Sequence, residues 1–329
     1  MNIASRTTIW MIAGAMILGA LYLGYRKLAR EHRESAPNPF AYDVAEYRNI
    51  DPALMMYELV NTITLHEDDH VGLALTADGD IAICSASGVF FYRPNGALRN
   101  SFEFPNAASA IAVDEDERVY LAKRDFISVF KVDGTHAEFW PTLGETTILT
   151  SLALDDHFIW AADAGQRLIW LFSRDARVEG YIRGKLPDGR AGGILVPDRH
   201  FDLASAGDGG VWVANPGALL VQRYSGDAEL LRSWGEAGMD NAGFTGCCNP
   251  TRIAVGEDMI VTAEKGIPRV KVYSLDGTLE AVVAAPNDLG RTAPALGRTE
   301  PVKGLAVDAA GRIHILDDYA NAVLIYQLK

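Results

Sequence analysis

A pattern of three short strands recurs six times along this chain, and it constrains the fold more than any other feature of the sequence. In each copy an apolar strand, a polar turn and a second apolar strand form a hairpin, and a third strand then ends in an aromatic residue. The six hairpins read VGLALTADGDIAICS, SAIAVDEDERVYLAK, TSLALDDHFIWAAD, FDLASAGDGGVWVAN, TRIAVGEDMIVTAE and KGLAVDAAGRIHILD. Asp, Gly and Asn near the turn centres are residues that tight hairpin turns favour.

The spacing of the strand ends indicates the architecture. The third strands end at six aromatic residues, namely Tyr92, Phe130, Phe172, Tyr224, Tyr273 and Tyr326. In the last four copies, this aromatic residue lies nine positions after the polar residue that ends the second strand. A repeat of about 38 to 52 residues with four short strands is typical of a β-propeller blade. A β-sandwich with extra strands would not explain the constant spacing, so we predict an all-β, six-bladed β-propeller.

The sixth copy stops after its third strand, so the ring needs a fourth strand from elsewhere in the chain. The segment Tyr57–Leu65 alternates large apolar residues with polar or small ones and can supply that strand. A strand from the N-terminal side that completes the last blade closes the ring and removes two exposed sheet edges. We therefore predict that the propeller occupies residues 57–329.

The fifth copy and the loop before it resemble NHL-repeat propellers. The stretches SWGEAGMDNAGF, NPTRIAV and VTAEKGIPRVKVY follow that family's blade pattern with Arg269 at its arginine position, and AADAGQRLIWLF matches it with Gln166 in place of the usual asparagine. GCCNP and EKGIPRVKVY also resemble a bacterial subgroup of membrane-anchored NHL-like proteins, which have a further cysteine where this chain has Thr245. The resemblance implies architecture more than activity, because this fold carries many unrelated functions.

The N-terminal region contains a candidate membrane anchor. Residues 7–25 carry no charge and would span about 28 Å as a helix, close to the bilayer core of about 30 Å. A cleavable signal peptide is the alternative, but Arg26, Lys27 and Arg30 follow at once, where a cleavage site needs small residues. We predict a short tail at residues 1–6, a single transmembrane anchor at residues 7–25 and a linker at residues 26–56.

Charge restricts the partners and leaves the orientation open. The net charge is -13, and because the first 36 residues carry +3, the remainder carries -16. No basic cluster follows residue 36, which argues against nucleic acid as a partner. The positive-inside rule places the propeller in the cytoplasm. The resemblance to tethered periplasmic propellers implies the opposite, and on that basis we predict a periplasmic or extracytoplasmic propeller.

The pair Cys247–Cys248 lies in an insertion of the loop that leads into the fifth blade. Five residues separate Phe244 from Pro250, where the NHL pattern has two. The loops that lead into the fourth and sixth blades, residues 184–200 and 285–301, are also long. Long loops on a rigid scaffold commonly carry binding sites. We predict a face that binds a protein or small ligand and contains Cys247, Cys248, Asn249, Lys265 and Arg269.

The adjacent cysteines allow several chemistries. In an oxidising compartment they can form a vicinal disulfide that stiffens the turn, which we favour. In the reduced state they can contribute two thiolates to a zinc, copper or iron site, although two thiolates alone are an incomplete set. A dithiol redox role is weaker, because the two-residue spacer of C-x-x-C motifs is missing. The remaining cysteine, Cys84, is expected in the core of the first blade.

Polar residues end the second strands at Ser85, Lys123, Asp163, Asn215, Glu264 and Asp317. One interpretation is that they bond the backbone of the following turn, as Asp and Asn commonly do. The other is that they form a ring in the central channel. The resemblance to lactonase-type propellers then implies that Glu264, Asn215 and Asp163 hold a calcium-like ion, although Lys123 would repel a cation.

These observations predict a non-enzymatic, membrane-tethered propeller that acts as an accessory subunit of a membrane redox or envelope complex. The chain lacks G-x-S-x-G, H-E-x-x-H, Walker and C-x-x-C-H motifs, and we assign no catalytic residue. One alternative is a metal-dependent lactonase-like hydrolase that uses the channel ring with calcium. Another is a metal-binding or electron-transfer component in which the cysteines hold copper, zinc or iron.

Overall fold

The computed structural model describes residues 46–329 except 68, 105–107, 185–192 and 290–299, together with Gly19, Tyr22 and Gly24. The chain divides into two units, Met1–Val44 and Ala45–Lys329. The predicted anchor at residues 7–25 lies outside the described residues apart from those three, which are helical. Among the described residues, no helix is both long and apolar enough to cross a membrane.

Within the described residues, 24 strands form six four-stranded antiparallel sheets, and two short 3-10 helices, Glu46–Arg48 and Pro52–Leu54, precede them. Blades 1 to 3 contain the strands β2 (His70–Leu75), β3 (Ile81–Ser85), β4 (Gly88–Tyr92), β5 (Leu98–Glu103), β6 (Ala110–Val113), β7 (Arg118–Lys123), β8 (Phe126–Lys131), β9 (His136–Phe139), β10 (Leu149–Leu154), β11 (Phe158–Asp163), β12 (Leu168–Ser173) and β13 (Val178–Ile182). Blades 4 to 6 contain the strands β14 (Asp202–Ser205), β15 (Val211–Asn215), β16 (Leu220–Tyr224), β17 (Leu230–Trp234), β18 (Arg252–Val255), β19 (Met259–Ala263), β20 (Val270–Ser274), β21 (Leu279–Ala284), β22 (Val302–Val307), β23 (Ile313–Asp317), β24 (Ala322–Leu328) and the N-terminal strand β1 (Tyr57–Thr64).

The closing strand occurs where the sequence predicts it. β1 pairs antiparallel with β24, with Tyr57 opposite Leu328 and Ile63 opposite Val323. Two further backbone hydrogen bonds extend the pairing beyond its ends, from Lys329 N to Met56 O and from Leu65 N to the carbonyl of Asn321. The six-bladed, all-β architecture is confirmed.

The recurring aromatic residue of each third strand fills the wedge between neighbouring blades. All six are buried, and each belongs to a hydrophobic cluster that it shares with the preceding blade. Tyr273 of blade 5, for example, packs with Trp212 and Val221 of blade 4. Truncating a buried aromatic side chain of this kind costs about 3–5 kcal/mol. The aromatic period in the sequence therefore reflects the contacts between blades.

The innermost strands surround a central channel of about 340 Å³, and polar side chains near their N-terminal ends join adjacent blades. Ser151 Oγ accepts from Leu203 N at 3.1 Å, which links blade 3 to blade 4. The Asp202 carboxylate accepts from the backbone N–H of Ile253, and Arg252 Nε donates to Lys303 O, each at 2.9 Å. These bonds continue the links through blades 4, 5 and 6.

The closing strand gives a direct test of this ring. Deletion of residues 1–36 should leave a protein that unfolds cooperatively, because these residues precede the propeller. Deletion of residues 1–65 should cause aggregation, because it removes β1 and leaves the edge of β24 unpaired. Size-exclusion chromatography and urea unfolding of both truncations distinguish the outcomes. Equal solubility and cooperativity of the longer truncation would contradict the role of β1.

Candidate binding face around the vicinal cysteines

The described ends of the loops that lead into blades 4 and 6 meet the loop that leads into blade 5 at one end of the channel, and we call this end the top face. It comprises residues 198–200, 247–248, Lys265 and Glu300, together with Arg252 and Lys303 near the starts of β18 and β22. At the positions equivalent to Arg252, the channel-lining strands of blades 1 to 3 carry the small residues Gly72, Ala110 and Ser151. Charged groups therefore concentrate on the side of the top face that belongs to blades 4 to 6.

The cysteine loop, residues 235–250, folds back on itself before it enters blade 5. Gly235 leaves β17 with a positive φ of 119°, a conformation that favours glycine. Phe244 N then donates to Glu236 O at 2.8 Å, and Gly238 N donates to Phe244 O at 3.1 Å. The Asp240 carboxylate accepts from Gly243 N at 2.7 Å. These bonds leave several backbone carbonyls of the loop pointing toward blade 5.

A buried ion cluster lies beneath the loop, formed by Glu264, Arg269 and Lys271. All three side chains have no exposed surface. Arg269 donates to one carboxylate oxygen of Glu264 at 2.7 Å through Nε, and Lys271 Nζ donates to the other at 2.9 Å. Burial lowers the pKa of Lys271 to about 8, against the opposing effect of Glu264. Buried charges are tolerated when they are paired and hydrogen-bonded in this way.

This cluster and Tyr273 hold the cysteine loop through its carbonyl groups. Arg269 Nη1 donates to the carbonyl of Asp240, Tyr273 OH to that of Ala242 and Lys271 Nζ to that of Gly243, at 2.8, 2.8 and 2.9 Å. The loop carbonyls would otherwise be buried without strand partners, which costs free energy. Side chains of β20 and of Arg269 just before it therefore fix the position of the loop.

The structure corrects the sequence prediction for Arg269, because this residue lies inside the protein and not on a binding face. Its guanidinium donates hydrogen bonds to Glu264 and to loop carbonyls. The carboxylate of Glu264, a predicted metal ligand, is likewise engaged by two cations. Both side chains are covered because the cysteine loop folds over them.

Asn249 also faces inward, in contrast to its predicted position on the binding face. Its side-chain amide donates to Thr245 O at 2.6 Å and to Lys265 O at 3.1 Å, and its Oδ1 accepts from Lys265 N at 2.9 Å. Asn249 is buried, and its peptide bond to Pro250 is cis. It joins the end of the cysteine loop to the turn between β19 and β20, and this contact sets the position of Lys265.

The two adjacent cysteines differ in exposure. Cys247 is exposed, Cys248 is buried, and their Sγ atoms lie 3.2 Å apart as free thiols. Gly246 has a positive φ of 71°, as expected of a glycine that permits this turn. Burial, with the neighbouring Cys247, raises the pKa of Cys248 to about 11, so this thiol stays protonated at neutral pH. Cys84 lies buried in β3 as predicted, where burial raises its pKa to about 12.

A chain of charged side chains crosses the top face from Lys265 to Lys303. Lys265 pairs with Asp198, whose Oδ2 also lies 3.6 Å from His200 Nε2. His200 Nδ1 lies 2.9 Å from Glu300, which in turn faces Arg252 and Lys303.

Of this chain only Lys265 was among the predicted site residues. Two signals in the sequence point to four of the others. Asp198, His200 and Glu300 lie in the two long loops, and Arg252 is a bulky residue at a position where most copies have a small one.

The six residues that end the second strands do not line the channel in the structure, because the first strand of each blade forms its wall. Their side chains contact groups of their own blade or of the loop that leads into it. Asp163 accepts from Ile148 N and Gln166 N at 3.0 Å, and Asp317 accepts from Tyr319 N and Ala320 N at 3.0 Å. The other four make different contacts. Asn215 accepts from Leu195 N, Ser85 bonds to Ser87, Lys123 lies over the rings of Phe104 and Phe126, and Glu264 belongs to the ion cluster. In the described part of the chain, no group of three or more His, Cys, Asp or Glu residues is arranged to hold a metal ion.

No protein-family model matches this chain, and no curated protein sequence matches it either. Solved structures do resemble it. A streptogramin B lyase superposes with a TM-score of 0.56 at 13% identity, over 85% of this chain and 100% of that chain. A catalytically inactive virginiamycin B lyase from Staphylococcus aureus, with quinupristin, superposes with a TM-score of 0.55 at 13% identity, over 83% of each chain. A selenomethionine-substituted virginiamycin B lyase from the same organism has a TM-score of 0.57 at 11% identity, over 83% of this chain and 100% of that chain. Likeness at this identity extends to the fold alone.

Arg269 and Lys265 make a matched pair for testing the ion cluster. Arg269→Met should lower the free energy of unfolding by about 3–5 kcal/mol, because it removes one partner of a fully buried ion pair and leaves the Asp240 carbonyl unpaired. Lys265→Met removes the same charge from a partly exposed pair and should cost about 0–1 kcal/mol. Urea denaturation measures both changes. Equal effects of the two substitutions would contradict the structural role of Arg269.

Proposed function

We propose that this chain is a membrane-tethered, non-enzymatic propeller that presents its top face to a protein or small ligand. The observation that carries the proposal is the position of the cysteine loop. The loop is fixed from beneath by a buried ion cluster, while Cys247 at its tip stays exposed beside the charged chain that begins at Lys265. The apolar segment at residues 7–25 supplies the tether, and the propeller lies on the extracytoplasmic side.

The energetics of the loop support a binding role. Three buried charges carry a desolvation penalty that well-packed apolar residues would avoid. Two of them donate to carbonyls of a surface loop. A rigid loop loses less conformational entropy when a partner binds, so pre-organisation of this kind favours affinity. The shape of the loop is therefore what the cluster maintains.

The cysteine pair adds to this rigidity in the oxidised state. A disulfide between Cys247 and Cys248 would require the two Sγ atoms to approach by roughly one ångström, to a bond of about 2.05 Å. Because the ring that it closes is minimal, its contribution through loop entropy is small. The disulfide would mainly fix the shape of the turn that faces the partner. A turn of fixed shape is consistent with an accessory subunit of a membrane redox or envelope complex.

The hydrolase alternative has less support from the geometry. Its candidate ligands Glu264, Asn215 and Asp163 each bond groups of their own blade or of the loop that leads into it. A metal ion there would have to displace the buried cations from Glu264. For the alternative in which the cysteines bind a metal ion, Cys247 and Cys248 supply two thiols, which alone are an incomplete set of ligands.

Photo-cross-linking in the native membrane tests the binding role. A benzoylphenylalanine at exposed Arg199 on the top face should give discrete adducts after irradiation, and the same residue at exposed Glu115, in the turn between β6 and β7, should not. Cys247→Ser with Cys248→Ser should reduce the Arg199 adducts several-fold while barely changing the melting temperature, because the pair shapes the loop without anchoring it. Mass spectrometry of the isolated chain without reductant should show Cys247 linked to Cys248.

Equal adducts from both positions, or adducts that do not respond to the double substitution, would contradict the proposed binding face. Finding both thiols open to alkylation in the protein as isolated from its membrane would contradict the oxidised turn alone.

A further inference from the structure

Three basic side chains converge on a single carboxylate at the mouth of the channel. Glu300 Oε1 lies 2.9 Å from His200 Nδ1 and 4.0 Å from Arg252 Nη2, and Glu300 Oε2 lies 3.9 Å from Lys303 Nζ. The four side chains are largely covered, with exposed fractions between 13% and 27%. The mouth is therefore a small basic site that holds one internal carboxylate.

The orientation of Arg252 does not depend on Glu300. Its Nε donates to Lys303 O at 2.9 Å and its Nη1 donates to Thr251 O at 2.8 Å, so two backbone carbonyls fix the guanidinium. Nη2 then points toward the mouth. A basic group that the backbone holds in place is prepared for an anion without further rearrangement.

Glu300 lies in this site, but the geometry of its contacts with the three basic side chains is poor. The contact between Glu300 Oε1 and His200 Nδ1 lacks the alignment of a hydrogen bond, and both atoms are buried without a hydrogen-bond partner in the described structure. Arg252 and Lys303 also stay beyond hydrogen-bond distance. Burial alone would raise the pKa of Glu300, but His200 and Arg252 outweigh it and lower this pKa. The site thus favours a charged carboxylate and leaves room for one that fits better.

The mouth opens on a cavity of the right size for a small molecule. Arg252 and Lys303 belong to the wall of the channel of about 340 Å³, which falls within the range of small-ligand pockets. The other carboxylate near Arg252, that of Asp202, already accepts from Ile253 N. Burial raises the pKa of Asp202, so the charged form of this carboxylate is disfavoured.

We propose that Arg252, Lys303 and His200 bind the carboxylate of a small organic acid at the channel mouth, and that Glu300 is the internal carboxylate that the ligand displaces. This inference rests on the proposed binding role of the top face and names its ligand class. Competition with Glu300 makes the apparent affinity of the native protein low, because the open site is only partly populated.

Calorimetric titration of the full chain in detergent with succinate, at constant ionic strength, tests the proposal. Succinate should bind the native protein weakly and bind Glu300→Gln at least about tenfold more tightly. Lys303→Met in the Glu300→Gln background should weaken binding by about tenfold, which corresponds to the loss of one charge-assisted contact. Exposed Lys131 of blade 2 is the control, and Lys131→Met in the same background should change nothing.

The proposal is overturned if neither the native protein nor Glu300→Gln binds succinate at millimolar concentration, or if uncharged succinamide binds equally well. It is also overturned if Lys303→Met and Lys131→Met weaken binding alike. Should Glu300→Gln fail to fold, Lys303→Met and Lys131→Met in the otherwise native chain give the same comparison. Adducts from Arg199 without succinate binding would leave the binding face intact and reject this ligand class.

Discussion

The buried ion cluster of Glu264, Arg269 and Lys271 is the interaction on which the top face depends. Burying three charges is costly, and the cost is offset only because each charge is paired and donates or accepts several hydrogen bonds. Two of those bonds end on carbonyls of the cysteine loop. Once the loop is fixed, Asn249 can join it to Lys265, and Lys265 can reach Asp198 on the neighbouring blade. The charged chain of the top face follows from this sequence of contacts.

The propeller scaffold places these contacts on one side of its channel. At equivalent positions, the channel-lining strands of blades 1 to 3 carry the small residues Gly72, Ala110 and Ser151, whereas those of blades 4 and 5 carry Asp202 and Arg252, and blade 6 has Lys303 next to Gly304. The same three blades have the long preceding loops. A ring of six similar sheets thus becomes chemically asymmetric through its loops and through a few residues at the channel mouth. Rigid scaffolds commonly carry function on such loops.

Features that depend on local spacing could be predicted from the sequence, and features that depend on covering loops could not. The six hairpins, the closing strand β1 and the burial of residues such as Tyr273 follow from alternation and period. The orientation of Arg269 does not, because its surroundings are decided by a loop about 30 residues earlier in the chain. The prediction that polar residues form a ring in the channel was wrong for a related reason, because strand order within a blade decides which side chains line the axis.

Hydrogen exchange in a triple variant tests the central role of the ion cluster most directly. Glu264→Leu, Arg269→Met and Lys271→Met together replace the cluster by apolar side chains, an exchange that is often neutral for global stability. We expect the amides of Gly238 and Phe244, which close the cysteine loop, to lose their protection from exchange, while the amide of Val272 in β20 keeps it. Native protection of Gly238 and Phe244 in the folded triple variant would show that the loop holds its position without the cluster, and it would contradict the account.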